Sequence, residues 1–139
     1  MGRDAVTASL QRGMEISMEK SVSIRGAITV NENSVKEIKT ALKNLLSEIF
    51  KQNKLDKSKI TNIIFTVTDD IDAINPATVA REELKLDSIP MLCVQEMNLK
   101  GGMSRCIRVM VNVYSEITKE NVKHIYLGSA NELRPDLMA

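Results

Sequence analysis

The stretch RCIRVMVNVY at residues 105–114 has the clearest secondary-structure signal in the chain. Apolar residues alternate along it with a more polar set, which is the period of a strand whose two faces meet different surroundings. The apolar set consists of Ile107, Val109, Val111 and Val113. The other face carries Arg108, and a guanidinium on a sheet face requires an anionic or protein partner. This stretch therefore predicts a strand that is core on one side and a binding surface on the other.

A second alternating segment begins at Val22 and has the same character. Its apolar face is formed by Val22, Ile24, Ile28 and Val30. Its opposite face carries Arg25 among small residues. Two such strands predict a sheet that presents arginines on the face turned away from the core.

A helix is predicted between this strand and the next. Ser34 and Glu37 have the spacing of a capping box, and apolar residues follow at three- and four-residue steps to about residue 53. Residues 60–68, ITNIIFTVT, are rich in β-branched residues and predict another strand. The order strand, helix, strand indicates a βαβ unit.

The remainder of the chain predicts one more helix and further strands. Asn75 before Pro76 is an N-cap and first-turn pair that opens a short helix. IPMLCVQEM at residues 89–97 and KHIYL at residues 123–127 are predicted strands. Residues 1–20 sustain no period and are predicted to be a flexible N-terminal extension. Residues 21–139 are predicted to form a single small α/β domain, of the α+β kind, with a mixed β-sheet and two helices.

The composition limits the classes of function. The 139 residues suffice for one domain with one core. Lysine plus arginine number 19 against 18 acidic residues, so no global field attracts nucleic acid, and aromatics are only 3%. No apolar run approaches the roughly 20 residues that span a bilayer, and the N-terminus does not resemble a signal peptide. We expect a cytoplasmic protein without nucleic-acid or membrane partners.

The usual catalytic signatures are weak here. TDDID at residues 68–72 clusters three carboxylates, but a solvated loop is commoner than a magnesium site. His124 has no zinc pattern and no nucleophile nearby, so its default role is structural. Cys93 and Cys106 lie in apolar stretches and are expected to remain thiols. No metal site is predicted.

Several segments along the chain form a recognisable set. They are IRGAITV (24–30), NPATVAR (75–81), CVQEM (93–97), GGMSRCIRV (101–109), and HIYL and LRPDL near the C-terminus. Together they resemble the monofunctional chorismate mutases of the Bacillus type. The similarity runs in order from about Ser23 to Leu137. It implies a homotrimer of pseudo-α/β-barrel form with active sites between subunits. The implied reaction is the Claisen rearrangement of chorismate to prephenate in phenylalanine and tyrosine biosynthesis, which is unimolecular and uses no cofactor.

The resemblance also implies roles for individual residues. Arg25, Arg108 and Glu96 would be the catalytic set, with Arg108 stabilising charge on the ether oxygen. Cys93 would contact the ring hydroxyl together with Glu96, and Tyr126 would reach a carboxylate. The remaining implied substrate contacts are Arg81 from the neighbouring subunit, Arg134 near the cleft mouth, and Asn75, Ala77, Thr78, Leu92 and Met97.

Two positions depart from the family pattern. Asn75 stands where an aromatic residue occurs, and Thr78 where a lysine occurs, which affects substrate capture more than the chemical step. Strand alternation also sends Cys93 and Glu96 to opposite faces, so we expect the chain to bend or end its pleat near Val94.

Two alternatives remain open. The imine-deaminase family of small trimers has a similar architecture and an arginine at each interface, but CVQEM and LRPDL match the mutase pattern in detail. The second alternative is a ligand-sensing trimer that kept the anion-binding cleft but lost catalytic turnover. The departures at Asn75 and Thr78 prompt it.

Overall fold

The computed structural model describes residues 18–133. The predicted extension therefore lies almost wholly outside the described residues, as does Arg134. The elements in chain order are β1 (Lys20–Thr29), α1 (Val35–Gln52), β2 (Ile60–Val67), α2 (Pro76–Glu83), β3 (Met91–Gln95), β4 (Cys106–Ser115) and β5 (Ile125–Leu127), with 3-10 turns at Lys57–Lys59 and Gly128–Glu132. The predicted mixed sheet with two helices is confirmed.

The described strands form a five-stranded sheet in the order β3-β2-β4-β1-β5. β4 is antiparallel to both of its neighbours, β1 and β2, whereas the outer pairs β2–β3 and β1–β5 are parallel. The unit formed by β1, α1 and β2 is therefore a split βαβ unit, because β4 occupies the place between its two strands.

The helices begin where their capping residues predict. The Ser34 hydroxyl accepts from the backbone N–H of Glu37 at 3.2 Å, and Asn75 Oδ1 accepts from that of Ala77 at 2.9 Å. In a reciprocal capping box the Glu37 carboxylate would accept from the backbone N–H of Ser34. Here it accepts instead from the backbone N–H of Asn31 at 3.3 Å, in the segment that leads into the helix.

Both helices belong to the core side of the sheet. The largest fully buried side chains come from β1, α1, β2, α2 and β4 and include Phe65, Ile24, Leu42, Leu45, Ile107 and Val111. Gly26 lets β1 approach α1 closely, because a Cβ there would lie 2.8 Å from Ile49 Cδ1 and 3.0 Å from the Ile125 carbonyl oxygen. None of the helices in the described part of the chain is long and apolar enough to cross a membrane.

The other face of the sheet is only partly covered. In the strand register, Arg108 pairs with Ala27 on one side and with Thr66 on the other, and Thr66 in turn pairs with Val94. Paired residues point to the same face, so these side chains share one surface. The 3-10 turn Gly128–Glu132 packs over one end of this surface, where its Ala130 joins Ala27, Cys106 and Tyr126 in a small buried cluster.

Candidate active site

A cavity of about 420 Å³ lies on the face of the sheet opposite to α1 and α2. We call it the arginine cavity. It is lined by Arg25, Gly26, Ile64, Thr66, Glu96, Arg108, Val109, Met110, Tyr126 and Leu133. Four side chains predicted from the sequence, Arg25, Glu96, Arg108 and Tyr126, are thus brought together within one chain.

The pair formed by Arg108 and Glu96 lies at the centre of this cavity. Arg108 Nε is 2.9 Å from Glu96 Oε1, and the two side chains are 42% and 25% exposed. Nε itself is buried, and its N–H makes no hydrogen bond with any acceptor among the described residues. The pair is therefore an ion contact beside a buried donor that lacks an acceptor among the described residues, and such donors are rare in folded proteins.

Glu96 reaches the cavity without a bend in β3. The strand is continuous through Val94 to Gln95, and the Glu96 N–H still donates to the Val67 carbonyl at 2.8 Å. Glu96 thus lies on the same face as Val94, two residues earlier. The bend that we expected near Val94 is not needed to place Glu96.

The same alternation places Cys93 away from the arginine cavity. Cys93 pairs in register with Phe65, which is fully buried, and its side chain packs against the main core. Burial raises the pKa of the Cys93 thiol. Burial also raises the pKa of the Cys106 thiol to about 11, although the nearby Arg108 charge opposes this. Both cysteines are free thiols in the described structure, as expected.

Arg25 and Tyr126 form the opposite wall of the cavity. Arg25 pairs in register with Met110 of β4, and Tyr126 is largely buried beside Ala27. The Arg25 backbone N–H donates to His124 Nδ1 at 3.0 Å, so the histidine just before β5 helps to seat the strand that carries Arg25. With two guanidinium groups and one carboxylate, the cavity has a net positive charge that favours an anion.

The residues predicted on the short helix lie elsewhere. Asn75 and Arg81 are exposed, Thr78 is half-buried and Ala77 is buried against the core. None of these four lines the arginine cavity as the described chain forms it. Leu92 is also outside the cavity and 65% exposed. Met97 lines a smaller neighbouring cavity of about 130 Å³, which shares Glu96 and Arg108 with the first.

The acidic loop after β2 has a structural role. Both Asp70 oxygens accept from the Arg105 backbone N–H at 3.0 Å, and the Thr68 hydroxyl donates to the same carboxylate. Burial raises the pKa of Asp70, but these hydrogen bonds outweigh it, so the pKa lies below the ordinary value. Arg105 has a positive φ of 45°, so Asp70 holds a strained residue at the start of β4.

Some lining residues were not predicted from the sequence. Thr66, Ile64 and Met110 belong to the less buried faces of β2 and β4, a pattern visible in the alternation. Alternation could not identify them as site residues, because it does not say which strands are neighbours or in what register. Leu133 follows the last 3-10 turn and carries no periodic signal.

Comparison of the sequence and the structure with known proteins identifies the family of this chain. A family model described as "Chorismate mutase type I" matches residues 21–137. The chain belongs to the type I chorismate mutase family. The expected resemblance and the expected enzyme class, an isomerase that converts chorismate to prephenate in aromatic amino-acid biosynthesis, are thereby confirmed.

Individual relatives agree over most of their lengths. Chorismate mutase AroH of Bacillus subtilis (strain 168) is 36% identical over 114 residues, covering 82% of this chain and 90% of the relative. Chorismate mutase AroH of Thermus thermophilus is 36% identical over 115 residues, covering 82% and 93%. The solved structure "Chorismate mutase from Clostridium thermocellum Cth-682" is 40% identical, with a TM-score of 0.77 over 80% of this chain and 98% of that chain. The expected fold of the chorismate mutase chain is therefore confirmed.

Proposed function

We propose that this protein rearranges chorismate to prephenate in the arginine cavity, with Arg108 beside the ether oxygen of the breaking carbon–oxygen bond. The observation that carries this assignment is the Arg108 Nε–H, which has no acceptor among the described residues and lies beside Glu96, at a cavity that Arg25 also lines. Electron density grows on the ether oxygen as the bond breaks. A fixed donor at that point stabilises the transition state more than the ground state.

The other groups hold the substrate in its reactive conformer. Chorismate carries two carboxylates and a ring hydroxyl. Arg25 and Tyr126 supply donors for the carboxylates, while Glu96 accepts from the hydroxyl. A unimolecular rearrangement gains mainly from holding the ends of the substrate together, so a cavity of fixed strands suits it.

Self-association would complete the site. Beside the arginine cavity, the described chain exposes a set of large apolar side chains comprising Ile64 (36%), Leu92 (65%), Val94 (48%), Met97 (75%) and Leu99 (63%). Single exposed apolar residues are ordinary, but here Ile64, Leu92 and Val94 share one sheet face, and Met97 and Leu99 lie in the segment that follows β3. Such a concentration is typical of an interface. We infer a homotrimer in which the α2 residues Asn75, Ala77, Thr78 and Arg81 face the cavity of the next subunit, with Arg134 near its mouth.

The same proposal includes the roles expected for Cys93 and Leu92 and a cytoplasmic location. Cys93 would need its thiol to reach the ring hydroxyl from the core side of β3. Two free thiols suit a reducing compartment. Fractionation of cells that produce the protein tests the location.

The direct test is the loss of chorismate absorbance with purified protein. Arg108→Ala should abolish most of the activity, whereas Lys43→Ala, which removes a cation from the exposed face of α1, should leave it unchanged. Tight chorismate binding without prephenate formation would instead support a ligand-sensing protein. Hydrolysis of a 2-aminoacrylate source without chorismate turnover would indicate the imine-deaminase chemistry.

A further inference from the structure

Thr66 contacts the carboxylate of Glu96 in the arginine cavity. Its hydroxyl lies 3.0 Å from Glu96 Oε1 and donates a hydrogen bond to it. In the sheet, Thr66 pairs with Arg108 on one side and with Val94 on the other. It is therefore the β2 residue that lies between the two members of the ion pair.

The Thr66 contact gives the two carboxylate oxygens of Glu96 different surroundings. Oε1 receives both the Thr66 hydroxyl and the close approach of Arg108 Nε at 2.9 Å. A carboxylate held at one oxygen keeps its other oxygen for a new donor. Oε2 is the oxygen left for the substrate.

β2 also fixes the backbone of Glu96. The Glu96 N–H donates to the carbonyl of Val67, the residue after Thr66, at 2.8 Å. One strand therefore anchors both ends of a side chain with three rotatable bonds. Restricting such a side chain before the substrate arrives lowers the entropy cost of binding and aligns it for reaction.

Strand formation alone does not require a hydroxyl at this position. Valine has nearly the same shape as threonine and is favoured in strands, and Ile64 and Val94 on the same face are apolar. The threonine hydroxyl is directed at a charged acceptor, where a hydrogen bond is stronger than one between neutral groups.

We propose that Thr66 is a positioning residue for catalysis, whose hydroxyl holds Glu96 so that Oε1 stays with Arg108 and Oε2 faces the ring hydroxyl of the substrate. This inference rests on the proposed function. Thr66 acts through Glu96, so its removal loosens the carboxylate without removing a substrate contact.

The test compares Thr66→Val with Thr66→Ser. The valine variant removes the donor and keeps the shape, and should lower kcat roughly tenfold, as expected for the loss of one hydrogen bond to a charged group, with a smaller change in KM. Serine keeps the donor and should restore kcat to within about threefold. The melting temperature of Thr66→Val should stay close to that of the wild type. A lower melting temperature with an unchanged kcat would assign the hydroxyl to stability and overturn the proposal.

A double-mutant cycle with Glu96→Ala identifies the route of the effect. Once Glu96 is absent, Thr66→Val should change kcat/KM by less than about twofold, because the group it positions is gone. A full tenfold loss in that background would mean that Thr66 acts on the substrate itself, and the positioning role would be wrong.

Failure of the proposed function is recognised separately. It would appear as wild-type protein that does not convert chorismate. In that case calorimetric titration with chorismate replaces the rate: weaker binding by Thr66→Val, restored by serine, would support the part of the inference in which Thr66 holds Glu96 for the ligand, and unchanged binding would overturn that part too.

Discussion

Arg108 Nε lies 2.9 Å from Glu96 Oε1, yet its N–H makes no hydrogen bond to that oxygen or to any other acceptor in residues 18–133. The contact holds the guanidinium in place by charge, while the Nε donor stays without an acceptor among the described residues. In the proposed mechanism that donor forms a hydrogen bond with the ether oxygen of bound chorismate.

Arg108 is therefore expected to control the chemical step. Arg108→Ala should lower the single-turnover rate at saturating chorismate by ~10²- to 10³-fold, the usual cost of losing such a donor. Arg108→Lys keeps the charge but loses the planar fork, so it should remain badly impaired. Both variants should stay folded, which circular dichroism checks. A near-normal saturated rate for Arg108→Ala would leave this residue only a binding or structural role.

Activity is expected to depend on assembly, because Arg81 is proposed to complete the site of a neighbour. Arg81→Ala and Arg108→Ala should each be nearly inactive alone. Co-refolded mixtures should regain part of the activity, since some interfaces would then contain both intact residues. Turnover of the mixture measures this, after mass spectrometry confirms mixed assemblies. Confirmed mixing without recovery would argue that each site lies within one chain.

A cation at position 78 is expected to improve substrate capture. Thr78→Lys should lower KM several-fold and leave kcat nearly unchanged, because a charge at the rim attracts the dianion but lies away from the breaking bond. Added salt should remove the gain by screening. Steady-state kinetics at low and high ionic strength test both statements. A changed kcat with a constant KM would place Thr78 closer to the chemistry.

Asp70 is expected to contribute stability that depends on pH. Its pKa in the folded protein lies below the ordinary 3.8, so its contribution is fully present above 3.8 and disappears as the pH falls through the lower folded value. Asp70→Asn should lower the free energy of unfolding by roughly 1 kcal/mol at pH 7 and by less near pH 3.

Urea denaturation at the two pH values measures this effect. Asp69→Asn is the matched control, because Asp69 is exposed and its substitution makes the same change in charge. Equal effects of the two substitutions at pH 7 would assign the loss to net charge and not to the hydrogen bonds with Thr68 and Arg105.

Local patterns predicted much of this fold because their causes are local. Alternation placed Arg25 and Arg108 opposite the valine faces, and the caps at Ser34 and Asn75 fixed two helix starts. The insertion of β4 between β1 and β2 is set by pairing between distant segments, which no local period encodes. The contact of Thr66 with Glu96 depends on that pairing, so the sequence offered no sign of it.

The position of β1 in the sheet has a consequence for how the protein is made. β1 is the first of the described strands along the chain, yet its two neighbours in the sheet are β4 and β5, the last two of them. The hydrogen bond from the Arg25 N–H to His124 spans 99 residues. Contacts this distant in sequence form slowly, and β1 cannot pair with β4 and β5 until those segments have left the ribosome. A strand with one apolar face that stays unpaired for this long is exposed to aggregation during synthesis, and a chaperone that bound it would lower that risk.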